Sequence, residues 1–139
     1  MSDFLGLADK TILVAGLANK KSVAWHVHKG LLAAGATVVN AMRSEARHEQ
    51  LAALLAPSEV LVCDVEREGE IERLAAEVRR RHPALDGLVH SIAFASYGSS
   101  PRAFHETRKL DFLQAVDVSC YSLIALAPLH EAPAVQAEV

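Results

Sequence analysis

The sequence predicts an α/β chain built as a doubly wound parallel sheet, and three observations predict it. Short apolar runs of strand length alternate with segments of helix length. The first run, Ile12-Leu13-Val14-Ala15, is apolar at every position, as a strand covered on both faces should be. It then passes through Gly16, where a side chain would obstruct the turn, into a helix that Ser22 can cap. With 139 residues, 51% hydrophobic and 22% charged, the chain is large enough for one domain with one core.

Strands are expected over 11–15, 37–41, 60–63 and 87–92, and helices over 23–34, 45–55 and 68–80, with a fourth over roughly 108–127. Gly35 is placed to stop the first helix, and Pro57 lies just past the second. In the third, Ile71, Leu74, Ala75 and Val78 share one face and Glu70, Arg73, Glu77 and Arg80 the other. The fourth carries Leu113, Val116, Cys120, Leu123 and Ala127 at helical spacing. Residues 96–106 form a polar loop with Gly98 and Pro101 at the carboxyl end of the sheet, where such folds bind ligands. Residues 1–127 therefore read as one half-domain, and 128–139, with two prolines and no strand-length apolar run, as an irregular tail.

A net charge of -3 gives no electrostatic case for nucleic acid or an anionic membrane surface. The longest basic run is Arg79-Arg80-Arg81. The N-terminus does not read as a signal peptide, and no apolar run approaches the ~20 residues needed to span a bilayer. Cys63 and Cys120 show neither close pairing nor metal-ligand spacing, which fits a reducing cytoplasm. A small-molecule partner is expected, and no metal.

The first candidate site is the junction Gly16, Ser22 and Val23. Free N–H groups and the helix dipole favour an anion such as a diphosphate there, although an ordinary tight turn with a serine cap would look the same. Read with Asp64-Val65, with 90–95 (HSIAFA) and with 118–123 (VSCYSL), the segment 16–25 (GLANKKSVAW) resembles bacterial-type enoyl-acyl carrier protein reductase. That family is a divergent branch of the short-chain dehydrogenase/reductases, and the resemblance is read from about Lys10 to Ala127. It implies a Rossmann-type sheet, here cut after about four strands and four helices, in the order 3-2-1-4.

The resemblance implies an NAD or NADP cofactor. It assigns Asp64 and Val65 to the adenine, Ser91, Ile92 and Ala93 to the nicotinamide ribose, and Ala95 to the border of an acyl carrier protein-linked enoyl substrate. A turn-forming aspartate remains an equal reading of Asp64. Arg43 follows the second strand, where this fold separates a 2'-hydroxyl from a 2'-phosphate, and Arg47 stands one turn later. A cation there opposes the helix dipole, which tips the reading to NADPH over NADH. His26 and His28 stand where family members carry small residues and read as tolerated surface or rim positions rather than metal ligands. His90, Trp25, Phe94 and Tyr121 read as packing or structural residues.

The family's Tyr-x6-Tyr-x6-Lys catalytic arrangement does not occur in these residues. Tyrosines stand only at Tyr97 and Tyr121, and the last lysine is Lys109. No catalytic residue is assigned, and the chain alone is expected to be inactive. The fourth strand would then be an edge, and uncovering ~400 Å² of apolar surface would forgo roughly 10 kcal/mol, so a marginal or self-associating chain is expected. The resemblance also implies a homo-oligomer. A non-catalytic nucleotide-binding or interaction module completed by a partner, and an unrelated doubly wound binding domain, stay open as alternatives.

Overall fold

The computed structural model describes residues 4–98, 100 and 102–130. Strands β1 (Thr11–Ala15), β2 (Thr37–Met42), β3 (Glu59–Val62) and β4 (Gly87–His90) form one sheet in the order β3-β2-β1-β4, with every neighbouring pair parallel. This is the expected order. Between them run α1 (Val23–Ala33), α2 (Glu45–Leu55) and α3 (Glu70–Arg81). After β4 come a short 3-10 turn (Phe104–Glu106) and a continuous C-terminal helix over Lys109–Leu129.

Side-chain alternation along β1 shows why both faces need helices. Leu13 and Ala15 join a core with Leu74 and Val78 of α3 and with Leu126 and Leu129. Ile12 and Val14 join the opposite core with Ala24 of α1 and with Leu51 and Leu55 of α2. Period-two side chains divide every residue of an all-apolar strand between two covered faces.

Helix α3 begins two residues later than the sequence pattern placed it. Gly69 adopts φ +76 just before it, and Glu70 N–H donates to the Arg67 carbonyl at 3.2 Å, so residues 64–69 form turns instead. Glu70 and Glu72 in its first turn and Arg79, Arg80 and Arg81 in its last complement the helix dipole. Helix α1 ends at Ala33, and Ala36 N–H reaches back to the Leu31 carbonyl across Gly35.

The C-terminal helix differs most from expectation. It consists of α4 (Lys109–Val116), a π-turn (Asp117–Tyr121), α5 (Ser122–Leu126) and a closing 3-10 turn (Ala127–His130). The wide turn rotates the following residues, so the buried line is Val118, Ser122, Leu126 and Leu129. Leu113, Val116 and Leu123, expected together on one face, are exposed, as are Cys120 and Tyr121, so the structural role read for Tyr121 has no packing behind it. Leu129 belongs to the core, so the chain past Ala127 is still packed; residues 131–139 lie outside the described part. This helix, with a mean hydropathy of 1.5, is also long and apolar enough to cross a bilayer by length and composition, where no such segment was expected. In this fold its inner line packs on the sheet.

Candidate functional site

The β1–α1 junction is built by Asn19 and Ser22. Asn19 Oδ1 accepts from Lys21 N–H at 2.8 Å, and its carbonyl accepts from Ser22 N–H at 3.1 Å and from the Ser22 hydroxyl at 2.7 Å. Ser22 Oγ in turn accepts from Trp25 N–H at 3.3 Å, which is the expected cap. With the hydroxyl proton already engaged, the donors left at this helix start are the N–H groups of Val23 and Ala24, which have no intrahelical acceptor. No acidic residue stands in the first turn of α1. The junction can therefore receive an anion.

Gly16 explains how the junction meets β4. At φ +101, a Cβ on Gly16 would lie 2.2 Å from the Ser91 carbonyl oxygen and 2.9 Å from Ile92 Cγ1. The close approach that its missing side chain permits is thus made by the end of β4. Gly16 N–H donates to the Ala41 carbonyl at 3.0 Å, and Ser91 N–H to the Ala15 carbonyl at 2.9 Å, so the Ala15–Gly16 peptide ties the ends of β1, β2 and β4 together.

A cavity of about 360 Å³ opens at these carboxyl ends. Its wall contains Gly16, Ser22, Val23, Arg43, Asp64, Val65, Ser91, Ile92 and Ala93, which are all nine residues singled out for a cofactor. Ala95 is exposed and stands outside the wall. A second, wider groove of about 1010 Å³ continues past Arg43, Arg47 and Asp64 between α2 and α3. The first cavity has the size of a small-molecule site, and the chemistry of its wall, two free helix-start N–H groups with arginines at the far side, suits a nucleotide diphosphate.

Arg43 and Asp64 lie together rather than apart. Arg43 Nε donates to Asp64 Oδ2 at 3.2 Å, and its Nη2 to Glu66 Oε2 at 3.2 Å. Asp64 Oδ1 also accepts from Glu66 N–H at 3.2 Å, so the turn-forming reading of this aspartate holds in the structure. Arg47 Nη1 donates to the Ala18 carbonyl at 2.8 Å and pins the start of α2 to the junction.

Several wall residues were not singled out as site residues in the sequence, although four of them lie in the segments that carry the resemblance. Leu17, Ala18, Met42, Cys63, Phe94 and Val118 line the cavity, brought there by the ends of four elements. The Arg43 guanidinium lies over the Phe94 ring, 5.6 Å from its centroid, so Phe94 is a site residue as well as a packing one. Ser119 Oγ holds the Phe94 backbone at both ends, accepting from its N–H at 2.9 Å and donating to its carbonyl at 3.0 Å. Burial, with help from Glu70 and Asp64, pushes the Cys63 thiol up to about 12, which removes it as a nucleophile at neutral pH.

The histidines divide. His26 is exposed, as read, but His28 is 2% exposed and so is no surface or rim residue. It lies one turn after Ala24 on the inner line of α1. Its Nδ1 is 3.0 Å from Asn40 Oδ1, and its ring stacks on Trp25 with centroids 5.4 Å apart. Asn40 Nδ2 donates onward to the Glu59 carbonyl at 3.1 Å, which orients the amide and makes His28 Nδ1 the donor. The signal was present in β2, where Asn40 interrupts an otherwise apolar strand and therefore needs a buried polar partner. His90 packs as expected, with Nε2 2.8 Å from Ser122 Oγ, whose hydroxyl donates to the Val118 carbonyl at 2.7 Å.

The family model described as Enoyl-(Acyl carrier protein) reductase matches residues 16–137, which carries the likeness past Ala127, where the motifs alone ended. The chain is 36% identical over 121 residues to the enoyl-[acyl-carrier-protein] reductase [NADH] of Enterococcus faecalis, covering 86% of this chain and 48% of that protein. It is 35% identical over 133 residues to the [NADPH] reductase of Staphylococcus aureus, covering 92% and 51%. The crystal structure of the Anaplasma phagocytophilum reductase in complex with NAD matches with a TM-score of 0.80 and 28% identity over 89% of this chain and 48% of that one. The Bacillus cereus reductase with NADP+ and indole naphthyridinone matches with a TM-score of 0.80 and 32% identity over 89% and 50%. The chain spans about half the length of the curated relatives it matches.

Proposed function

The chain belongs to the enoyl-(acyl carrier protein) reductase family, and we propose that its 139 residues are the part that binds the nicotinamide dinucleotide. The observation that carries this reading is the single cavity wall into which all nine expected cofactor residues converge. Val23 and Ala24 N–H beside Ser22 would hold the dinucleotide's diphosphate, Asp64 and Val65 its adenine, and Ser91, Ile92 and Ala93 its nicotinamide ribose, as the resemblance implies. When bound, the reduced nicotinamide supplies a hydride for the carbon–carbon double bond of an enoyl thioester carried by acyl carrier protein, a step of fatty acid synthesis. The residues of this chain bind and orient the cofactor, and burial among apolar groups such as Leu17, Met42 and Val118 excludes water.

Two arginines at the β2–α2 junction support a narrow preference for NADPH over NADH, because a 2'-phosphate can accept from a guanidinium fork. Hydride transfer to the enoyl group would generate an enolate oxyanion, which needs a hydroxyl and a cation to stabilise it. Tyr97 and Tyr121 are exposed and lack the lysine spacing, so the chain alone binds without turnover. Free Cys63 and Cys120 suit a reducing cytoplasm.

Titration of the purified chain with NADPH and NADH, followed by an assay with a crotonyl thioester, tests the reading. Binding of both nucleotides without turnover is expected. Failure of both to bind overturns it, and turnover overturns the assignment of the catalytic groups elsewhere.

A second reading is favoured by two surfaces. Strand β4 is a sheet edge among the described residues, and Leu110, Phe112, Leu123 and Ile124 of the C-terminal helix are exposed. In this reading the chain pairs with itself or with a partner that covers them. Sedimentation velocity at two concentrations should show self-association, and a monomer at both removes the homo-oligomer.

A further inference from the structure

Arg43 is held from two sides in a way that bears on which nucleotide the cavity prefers. Its Nε donates to Asp64 Oδ2 and its Nη2 to Glu66 Oε2, each at 3.2 Å, while its plane lies over Phe94. Glu66 is itself aimed, because its other oxygen, Oε1, accepts from Gln114 Nε2 on α4. The Glu66 side chain is 29% exposed and that of Arg43 is 54% exposed, so the pair sits at the rim, where a ligand can reach the guanidinium. Asp64 has structural duties in its own turn, including an ion pair with Arg67 at 3.6 Å. Among the described residues, the Glu66 carboxylate meets only Arg43 and Gln114 through its oxygens.

We propose that Glu66, positioned by Gln114, is a specificity-determining residue that holds NADPH and NADH near parity by competing with a 2'-phosphate for Arg43. The proposal rests on the reading of the cavity as a nicotinamide dinucleotide site with the adenosine ribose beside Arg43. An arginine presents five N–H donors in a rigid fork and serves carboxylate and phosphate alike. A 2'-phosphate approaching Arg43 must displace the Glu66 carboxylate from donors it already engages. The neutral 2'-hydroxyl of NADH does not depend on that fork and carries no such cost. Glu66 therefore weakens NADPH selectively.

Dissociation constants for NADPH and NADH are to be measured on the whole chain, on Glu66→Gln, on Arg43→Gln and on the double variant, at low and high salt. Glutamine keeps the shape of Glu66 at a half-exposed position, and far-UV circular dichroism checks that each variant is folded. Glu66→Gln should tighten NADPH by about threefold to tenfold and change NADH by less than about twofold. The gain should shrink at high salt. In the Arg43→Gln background Glu66→Gln should leave the ratio unchanged, which a merely structural role for Glu66 would not produce. Gln114→Leu should shift the ratio in the same direction as Glu66→Gln by a smaller factor. Binding of both nucleotides with a ratio unmoved by Glu66→Gln, or moved equally without Arg43, overturns the role of Glu66 alone. Binding of neither overturns the nucleotide reading and this proposal with it.

Discussion

Replacing Gly16 with alanine should disrupt the sheet and the site together, by an amount the geometry sets. The residue stands at φ +101, where an L side chain is strained, and that conformation costs about 1–2 kcal/mol. The new Cβ would also lie 2.2 Å from the Ser91 carbonyl oxygen, whereas ordinary contact begins near 3.4 Å, so the ends of β1 and β4 must part by about 1 Å. That movement strains the bonds from Ser91 N–H to Ala15 and from Gly16 N–H to Ala41, each worth about 1 kcal/mol. A total of about 3–4 kcal/mol is a large share of the ~5–15 kcal/mol that stabilises a domain. At a slope of about 1.5 kcal/mol per molar urea, the unfolding midpoint should fall by about 2 M. Trp25, the only tryptophan, stacks on His28 and reports the transition by fluorescence. Gly69→Ala is the control, because its φ of +76 is equally strained but its Cβ meets nothing within 4 Å. A Gly16→Ala midpoint displaced no further than that of Gly69→Ala would refute the clash with Ser91.

Other outcomes follow from the same geometry. Ser22→Ala removes both the acceptor for Trp25 N–H and the donor to Asn19, so stability should fall by about 1 kcal/mol with weaker binding of both nucleotides alike; an unchanged urea midpoint contradicts the cap. Gly30→Ala lies on the exposed side of α1 with open space around its Cβ and should raise stability by about 0.5–1 kcal/mol, read as a higher thermal midpoint. Burial holds the His28 and His90 imidazoles below the ordinary value of 6.5. The unfolded chain then binds more protons than the folded one between the two values, so stability is full above 6.5 and is lost as pH falls through the folded values. Urea unfolding from pH 8 to 5 should show this fall, with His28→Gln flattening part of it, and stability that holds level or rises on acidification contradicts both histidine environments.

Much of the site was legible because its chemistry is backbone chemistry. An apolar strand, Gly16 and a serine before a helix place two free N–H groups at a predictable point, Arg43 follows from the end of the second strand, and Asp64 and Ser91 were marked only by the resemblance. What escaped the sequence depends on contacts between distant segments. The Arg43–Glu66–Gln114 chain joins three elements separated by tens of residues, and no local pattern marks Glu66 or Gln114. His28 read as a surface or rim residue because a single helix does not reveal that Asn40, on the sheet face α1 covers, accepts its hydrogen bond. In the C-terminal helix, regular spacing selected Leu113, Val116 and Leu123, but the wide turn at Asp117–Tyr121 brought Val118, Ser122 and Leu126 inward.

The sequence by itself determined the alternation of strands and helices, and with it a parallel sheet and a helix start facing the ends of the strands. Local hydrophobic period and chain geometry suffice for that. Only the tertiary structure decided which polar groups share partners, because a hydrogen bond or ion pair between distant residues is a property of their final positions. That is why the serine-capped helix start at Ser22 was readable in advance, and the restraint on Arg43 was not.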